Sequence, residues 1–328
     1  MTTVSLPPNP PVVEDEVPIL LKAAETRADR VFRRVLAMSS ATVLVLLAAT
    51  VVFLVAKGWM ALRQAGLHFI TDVVWSPDTH HFGVAPLLVG SLAIAVVAVA
   101  VAAPVGIATA LMINEYAPRR LRSLLTSIVD MLATVPSIVY GFWGLEVVSS
   151  LQSGPAKWIA DNFGFVPLFR TPAPGSYVKS VFATGIVCAL TIIPIITSVS
   201  REVMAQAPRD ACEAALGLGG TRWGMITDVV LPFSRNGIVG AVLLGIGRGL
   251  GETMIVVLML SSANHLTGGI LGPNGLGSIA REITVFFVTG SPIEKSALIL
   301  AGLALFATTL LVNAVARIIV MRAGSHTR

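Results

Sequence analysis

An all-α membrane protein with six transmembrane helices is what the sequence predicts, and three observations carry that expectation. The chain of 328 residues is 55% hydrophobic and 12% charged, with a mean hydropathy of +0.82, far from the make-up of a soluble domain. Six apolar stretches are long enough to cross a bilayer, which takes about 20 helical residues; their cores lie at 38–56, 84–113, 124–148, 181–199, 238–260 and 297–316. The cations alternate between flanks: fifteen Lys and Arg fall in 22–34, 119–122, 201–235 and 317–328, and seven in 57–63, 157–179 and 281–295. Cytoplasmic loops carry the excess of Lys and Arg, so both termini are expected in the cytoplasm.

Before the first span, residues 1–34 hold five prolines (Pro7, Pro8, Pro10, Pro11 and Pro18), acidic residues early and Arg27, Arg30, Arg33 and Arg34 late. This reads as a disordered cytoplasmic tail entering a helix. No short apolar region with a small-residue cleavage site precedes the first span, so that span is expected to remain as a helix. The transmembrane domain then occupies 35–322 and a short cytoplasmic tail 323–328. The net charge of +5 lies in clusters beside apolar runs, which fits orientation in a membrane and not nucleic-acid binding. Cys188 and Cys212 have no metal-like spacing and are expected as free thiols.

The outer flanks hold Trp59, Trp75, Trp158, Phe163 and Tyr177, suited to a headgroup-level aromatic belt. Pro77, Gly154, Pro172, Pro174 and Gly175 there suit irregular loops. Apolar residues at Leu276, Ile279, Ala280, Ile283 and Phe287 predict a short helix against the outer mouth. His68, His80 and His81 share a loop with no further ligand cluster, so no metal site is assigned. Asp130, in the third span, is placed either with Arg122 or along a polar path. Pro104, Pro136 and Pro194 are expected to kink or open their helices.

The most informative polar stretch is 201–235. Its centre reads Glu213-Ala214-Ala215, three residues, Gly219, nine residues, Val229, one residue, Leu231-Pro232. Ala214 and Ala215 favour a helix with a thin surface. Gly219 suits a turn where a Cβ is costly, and Pro232 is expected to stop a second helix. No Gly-Lys dipeptide occurs, so there is no Walker phosphate loop, and no common hydrolase or metalloprotease signature is present. Energy must come from a partner. A second constellation lies in the fifth span: Gly240, Gly245, Gly247, Arg248, Gly249, Leu250, Gly251, Glu252 and Thr253. It fails as a dinucleotide loop, because no strand precedes it. Gly245 with Gly249, and Gly247 with Gly251, are spaced as small-residue packing pairs. Arg248 and Glu252 share a helical face, and a charge inside a membrane marks a partner or a water-filled path.

The 213–232 pattern resembles the EAA signature of importer permeases of the ATP-binding-cassette (ABC) class, with Val229 in the place of an isoleucine. Trp75, Pro77, Phe82, Gly83 and Pro86, the run Asn114 to Pro118, the run Val135 to Gly141, and Gly247-Arg248-x-x-Gly251-Glu252-Thr253 extend the likeness to the permeases of phosphate-specific ABC uptake systems, and to their PstC-type subunit. The resemblance implies a type I six-transmembrane-helix ABC importer permease with cytoplasmic coupling helices in the bacterial cytoplasmic membrane. It assigns Glu213, Ala214, Ala215, Gly219, Val229, Leu231 and Pro232 to ATPase coupling. It also implies a homologous PstA-type permease partner, a PstB-type ATPase dimer that binds ATP and Mg, and an external PstS-type phosphate-binding protein. This chain itself would be no enzyme and would hold no cofactor. Arg248 and Glu252 are read as the substrate path. A permease for another oxyanion, such as sulfate or molybdate, would share the EAA loop, and an ion-coupled secondary transporter would dispense with the ATPase.

Overall fold

The computed structural model describes residues 26–66, 68–76, 81–148, 154–166, 169, 177, 179–261, 269–272 and 276–324. Residues 1–51 form one unit and 52–328 another. The first helix, α1 (Arg27–Ala65), begins within the predicted tail. The reason is local: the Thr26 hydroxyl accepts from the Asp29 amide and the Asp29 carboxylate accepts from the Thr26 amide, a reciprocal cap that starts the helix before its arginines. Residues 1–25 of the predicted tail, like 325–328, lie outside the described residues. Along the apolar first unit, the Ser39, Thr42 and Thr50 hydroxyls donate to the carbonyl four residues back, which satisfies them without water.

In the second unit, α1 is followed by a one-turn helix α2 (His68–Thr71) and a small hairpin of β1 (Trp75–Ser76) and β2 (His81–Phe82). Then come α3 (Ala85–Leu111), α4 (Arg119–Thr134), α5 (Ser137–Trp143), α6 (Pro155–Phe163) and α7 (Val181–Met204). The chain continues as α8 (Arg209–Gly217), α9 (Arg222–Met225), α10 (Leu231–Leu250), α11 (Met254–Met259), α12 (Ile279–Phe286) and α13 (Pro292–Gly324). Wider π-helical turns join α3 to the following loop (Met112–Tyr116), extend α5 (Gly144–Val148) and join α9 to α10 (Ile226–Val230). Among the described residues five helices are long and apolar enough to span a membrane, and α4 with α5, bent by 87° at their junction, passes the same test as a pair.

The third predicted span is thus a broken helix. Pro136 lacks an amide donor and disfavours helical geometry at Val135, whose backbone is extended. The Leu132 carbonyl oxygen that Pro136 leaves free accepts from the Val135 amide and, at 3.0 Å, from the Tyr140 hydroxyl. Pro104 and Pro194, by contrast, stay inside α3 and α7. The fifth predicted span also breaks. Its helix starts at Leu231, ends at Leu250 and resumes as α11 after Gly251–Thr253. The helix expected over 276–288 is observed as α12. Asp130 accepts from Ser198 of α7 at 2.9 Å, while Arg122 reaches the Ile113 and Asn114 carbonyls, so the two do not pair.

The centre of the second unit is α7, packed against α3 and α10 around Ile192, Ile196, Val187 and Cys188. Association of helices in lipid has little hydrophobic drive and relies on close van der Waals fit. Small residues provide it: a Cβ on Gly245 would stand 2.8 Å from Ile192, and one on Gly249 3.3 Å from it. A second cluster gathers Phe69, Trp75, Phe82 and Leu87 with Ala61 and with Leu298 and Ala301 of α13. Trp75 is 1% exposed and meets Phe82 edge-on at 5.6 Å; Tyr177 is buried as well. Both therefore leave the predicted aromatic belt, because hairpin pairing and core packing turn them inward. Trp59 and Trp158 remain exposed. Pro77 and His80, and the predicted loop residues Pro172, Pro174 and Gly175, lie outside the described residues.

The closest backbone approach fixes α12. A Cβ on Gly90 of α3 would fall 1.8 Å from the Gly277 carbonyl oxygen, and next to it the Ser91 hydroxyl accepts from the Ile279 amide at 3.2 Å. Gly90→Ala should therefore lower the detergent-solubilised melting temperature, by an overpacking cost of about 1–3 kcal/mol or more. Gly106→Ala, whose added Cβ would meet the Ile196 side chain at 3.0 Å and the Ile193 carbonyl oxygen no closer than 3.2 Å, should cost less. Equal melting of the two variants would refute this close approach.

Candidate functional site

Two places gather the chemistry: the break after α10 and the loop carrying α8 and α9. At the break, Arg248 lies in the last turn of α10, where a cation meets the negative end of the helix dipole. Gly251 donates to the Gly247 carbonyl at 3.3 Å and Glu252 to that of Gly249 at 3.4 Å, so the backbone tightens by one final turn before it departs. Glu252 consequently sits beyond the helix, yet its Oε2 remains 3.7 Å from Arg248 Nη2. That separation permits ion pairing but exceeds hydrogen-bonding distance. The expected shared helical face is replaced by a pair across a break.

The two members differ in exposure. The Glu252 side chain is 4% exposed and that of Arg248 42%. Arg248 belongs to a face that this chain leaves uncovered among the described residues: no atom lies within 4 Å of a Cβ on Gly240 or Gly247, and Leu244 and Met254 are exposed. So the two predicted glycine pairs have different settings. Gly245 and Gly249 pack inward, as their spacing indicates; Gly247 and Gly251 line the open side with the guanidinium.

Behind the break, α11 packs against α5. A Cβ on Gly141 would stand 2.7 Å from Leu258 and 3.6 Å from the Met254 carbonyl, so the two half-helices from the two breaks fit together at a glycine. The end of α11 is tied by side chains: Thr184 donates to the Met259 carbonyl at 3.3 Å and Arg281 Nε to that of Leu260 at 3.2 Å. Arg281 also pairs with Glu282 at 2.8 Å, and both are largely buried. Burial pushes the Glu282 carboxyl above its ordinary range, while Arg281 pulls it back. This second pair was missed in the sequence, where Arg281 counts only among the outer-flank cations. Neighbouring positions on a helix do not face each other, so no spacing signals the contact.

In the 201–235 loop, α8 carries Glu213, Ala214 and Ala215. Gly219 has φ +87°, its amide donates to the Leu216 carbonyl and that of Gly220 to the Ala215 carbonyl. This pair of bonds is a Schellman helix stop, and it places the signature glycine at the position that requires a left-handed backbone. Thr221 then caps α9 by accepting from the Gly224 amide at 3.0 Å. Ala215 and Leu231 pack on Met204, Met225, Ile226 and Val230. Glu213, Ala214 and Pro232 face outward, with Leu218 91% exposed at the turn and Trp223 beside it, also exposed. Val229 is half-buried.

Pro232 does not stop the second helix. It occupies the first turn of α10, reached from α9 through the π-turn 226–230, which runs unbroken from Arg222 to Leu250. A one-residue bulge in the ladder removes the bond that a proline cannot make and relieves its clash with the previous turn. The loop is also fastened to the turn after α3, where Arg222 donates to the Glu115 carbonyl at 3.3 Å, and from α4 Arg122 donates to the neighbouring Ile113 and Asn114 carbonyls. The Asn114–Pro118 run thus serves as an acceptor platform for two arginines. Cys188 is buried and Cys212 half-buried, both free. Among the described residues no cluster of three His, Cys, Asp or Glu could hold a metal.

The second unit is thus a bundle with two broken helices, a buried carboxylate beside an exposed arginine and an outward helix-turn-helix loop. Comparison with known proteins gives the family. Residues 102–324 match the model of the binding-protein-dependent transport system inner membrane component, and this chain belongs to that family. It is 34% identical over 302 residues to the phosphate transport system permease protein PstC of Haemophilus influenzae, covering 91% of this chain and 95% of that one. Identity to PstC of Pasteurella multocida is 36% over 293 residues, with 89% and 91% coverage. PstC 2 of Mycobacterium tuberculosis is 35% identical over 306 residues, with 89% and 92% coverage. A chain in the crystal structure of a bacterial alginate ABC transporter, solved with its alginate pentasaccharide-bound periplasmic protein, superimposes with TM-score 0.60 at 18% identity, over 90% of this chain and 96% of that one. That likeness speaks for the fold.

At Gly219 any Cβ meets a backbone strain of about 1–2 kcal/mol. Gly219→Asp should therefore speed hydrogen exchange of amides 215–225 while the spans insert normally. Unchanged protection would show that the turn does not depend on the left-handed residue.

Proposed function

We propose that this chain is the PstC-type permease subunit of an ATP-driven importer that moves inorganic phosphate across the bacterial cytoplasmic membrane. The supporting observation is identity of 33–36% along about nine-tenths of the chain to permeases named for phosphate transport, joined to an arginine and a glutamate at a helix break. The uncovered face of Gly240, Leu244, Gly247 and Arg248 is where a homologous PstA-type subunit would close the path. The outward face of α8, with Glu213 and Ala214 and the exposed Leu218 and Trp223 beyond it, would seat on a PstB-type ATPase dimer, which binds ATP and Mg. An external PstS-type protein would deliver phosphate from the opposite side. Both termini then lie in the cytoplasm.

Arg248 acts on the anion and Glu252 restrains Arg248 when the path is empty. Guanidinium donors are planar and paired, matching phosphate oxygens, and a 3.7 Å ion pair leaves those donors unspent. Opposite unit charges about 4 Å apart interact by on the order of 4 kcal/mol at an effective dielectric of 20. Phosphate therefore competes with Glu252 without becoming trapped. Arg248→Gln should abolish phosphate uptake in reconstituted vesicles with subunit assembly intact, and Glu252→Gln should change rate or selectivity. A purely structural pair would instead show lost assembly in both single variants, and the Arg248→Leu/Glu252→Leu double variant would regain uptake; that recovery overturns the assignment.

The topology has its own test. Burial raises the Cys212 thiol above its usual range, with Glu115 and Glu213 adding to the effect. A membrane-impermeant maleimide should therefore label Cys212 in inside-out vesicles, faster as pH rises, and leave intact cells unlabelled in a Cys188→Ala background. Labelling from outside would reverse the orientation.

A further inference from the structure

Apart from the residues already assigned, the second unit contains a cavity of about 590 Å³ between α1 and the start of α13. Three cations line it, Lys57, Arg63 and Lys295, and no carboxylate is among its lining residues. Its remaining wall is apolar and aromatic: Met60, Ile299 and Trp59, with Arg63 stacked 5.2 Å over the Trp59 ring. Its floor is rigid. The Ser296 hydroxyl accepts from the Ala61 amide at 3.0 Å and donates to the Lys57 carbonyl at 2.8 Å. It thereby bridges the donor and acceptor of one turn of α1 and clips the two helices together, while Gly58 lets Leu300 approach.

The depth of these cations matters. Lys57 follows directly on the apolar run of α1, and Lys295 directly precedes that of α13. All three charges therefore gather where two spans leave the hydrocarbon, at the level of lipid phosphates. Cations there run against the general depletion of Lys and Arg on the outer side, so their concentration in one cavity calls for an anion. The apolar wall continuing from them suits acyl chains, which a free inorganic ion does not need.

We propose that this cavity is a binding site for an anionic phospholipid, its phosphodiester held by Lys57, Arg63 and Lys295 and its chains lying along Met60 and Ile299. On the topology given above it belongs to the outer leaflet. Trp59 sits at the glycerol level, where indoles partition. The lipid joins the ends of the first and last spans across the seam that Ser296 clips.

The test uses the assembled transporter purified in dodecyl maltoside and titrated with dioleoyl-phosphatidylglycerol, with bound lipid counted by native mass spectrometry. Near a membrane surface each cation contributes about fivefold to binding of an anionic lipid. The Lys57→Gln/Arg63→Gln/Lys295→Gln variant should weaken phosphatidylglycerol binding on the order of a hundredfold. Lys157→Gln on α6, an exposed cation of the same flank set, should leave it unchanged, and phosphatidylethanolamine should bind all variants equally weakly. Wild-type retention by the triple variant overturns the proposal. So does displacement of the lipid by millimolar inorganic phosphate, which would make this a free-anion site, or by the external binding protein, which would make it a docking surface. Loss of phosphate uptake in the Arg248 variants with lipid retention intact separates this site from the path.

Discussion

Inside a bilayer a backbone carbonyl released from its helix finds no water, and each one left unpaired costs several kcal/mol. This constraint accounts for much of the polar side-chain placement. At the Val135–Pro136 break the Leu132 carbonyl is taken by Tyr140; after Gly251 the Gly251 carbonyl is taken by the Thr253 hydroxyl at 3.2 Å. At the end of α11 Thr184 and Arg281 take two more, and at the end of α3 Arg122 and Arg222 take three. These polar side chains are hydrogen-bond donors to the free carbonyls of interrupted helices.

The interruptions also build the site. A continuous helix through 238–260 would bring Arg248 and Glu252 onto one surface with similar surroundings. Ending it at Leu250 leaves Arg248 on the open side and carries Glu252 into the interior, so a single pair spans two environments. Gly251 makes this exchange cheap, since the chain passes from helix to loop with only the tightened bonds to the Gly247 and Gly249 carbonyls. Packing of α11 against Gly141 then fixes the second half. The two breaks are thus mutually dependent, because each half-helix is the other's support.

What was legible in the sequence was what lies along the chain. Span number, the EAA loop and the turn at Gly219 follow from hydropathy, spacing and local backbone preference, all properties of neighbouring residues. Pro232 shows the limit: its effect depends on whether the ladder can slip by one residue, and the π-turn at 226–230 does so without leaving a sequence signature. Trp75 and Tyr177 were misplaced for the same kind of reason. An aromatic residue near a membrane boundary fits a belt or a core equally well until the hairpin and its packing decide. Arg281 with Glu282, adjacent and buried, became a pair only through tertiary burial.

On the functional assignment proposed above, the 201–235 loop would act on Arg248 at a distance, and the fold connects the two. From Arg222 to Leu250 the chain is one helix, about 43 Å long at 1.5 Å per residue, with the loop's α9 at one end and Arg248 in the final turn at the other. The π-turn, inside the loop's last part, interrupts the regular ladder of this rod, and α7 packs on it at Gly245 and Gly249. A displacement of the loop therefore has two outlets, bending at the π-turn or sliding against α7. Sliding carries Arg248 relative to Glu252, whose backbone is held through α11 by α5 and α12. With the contact already at 3.7 Å, a shift of about 1 Å changes a pair energy on the order of 4 kcal/mol by roughly a fifth, enough to alter how strongly an anion competes for the guanidinium.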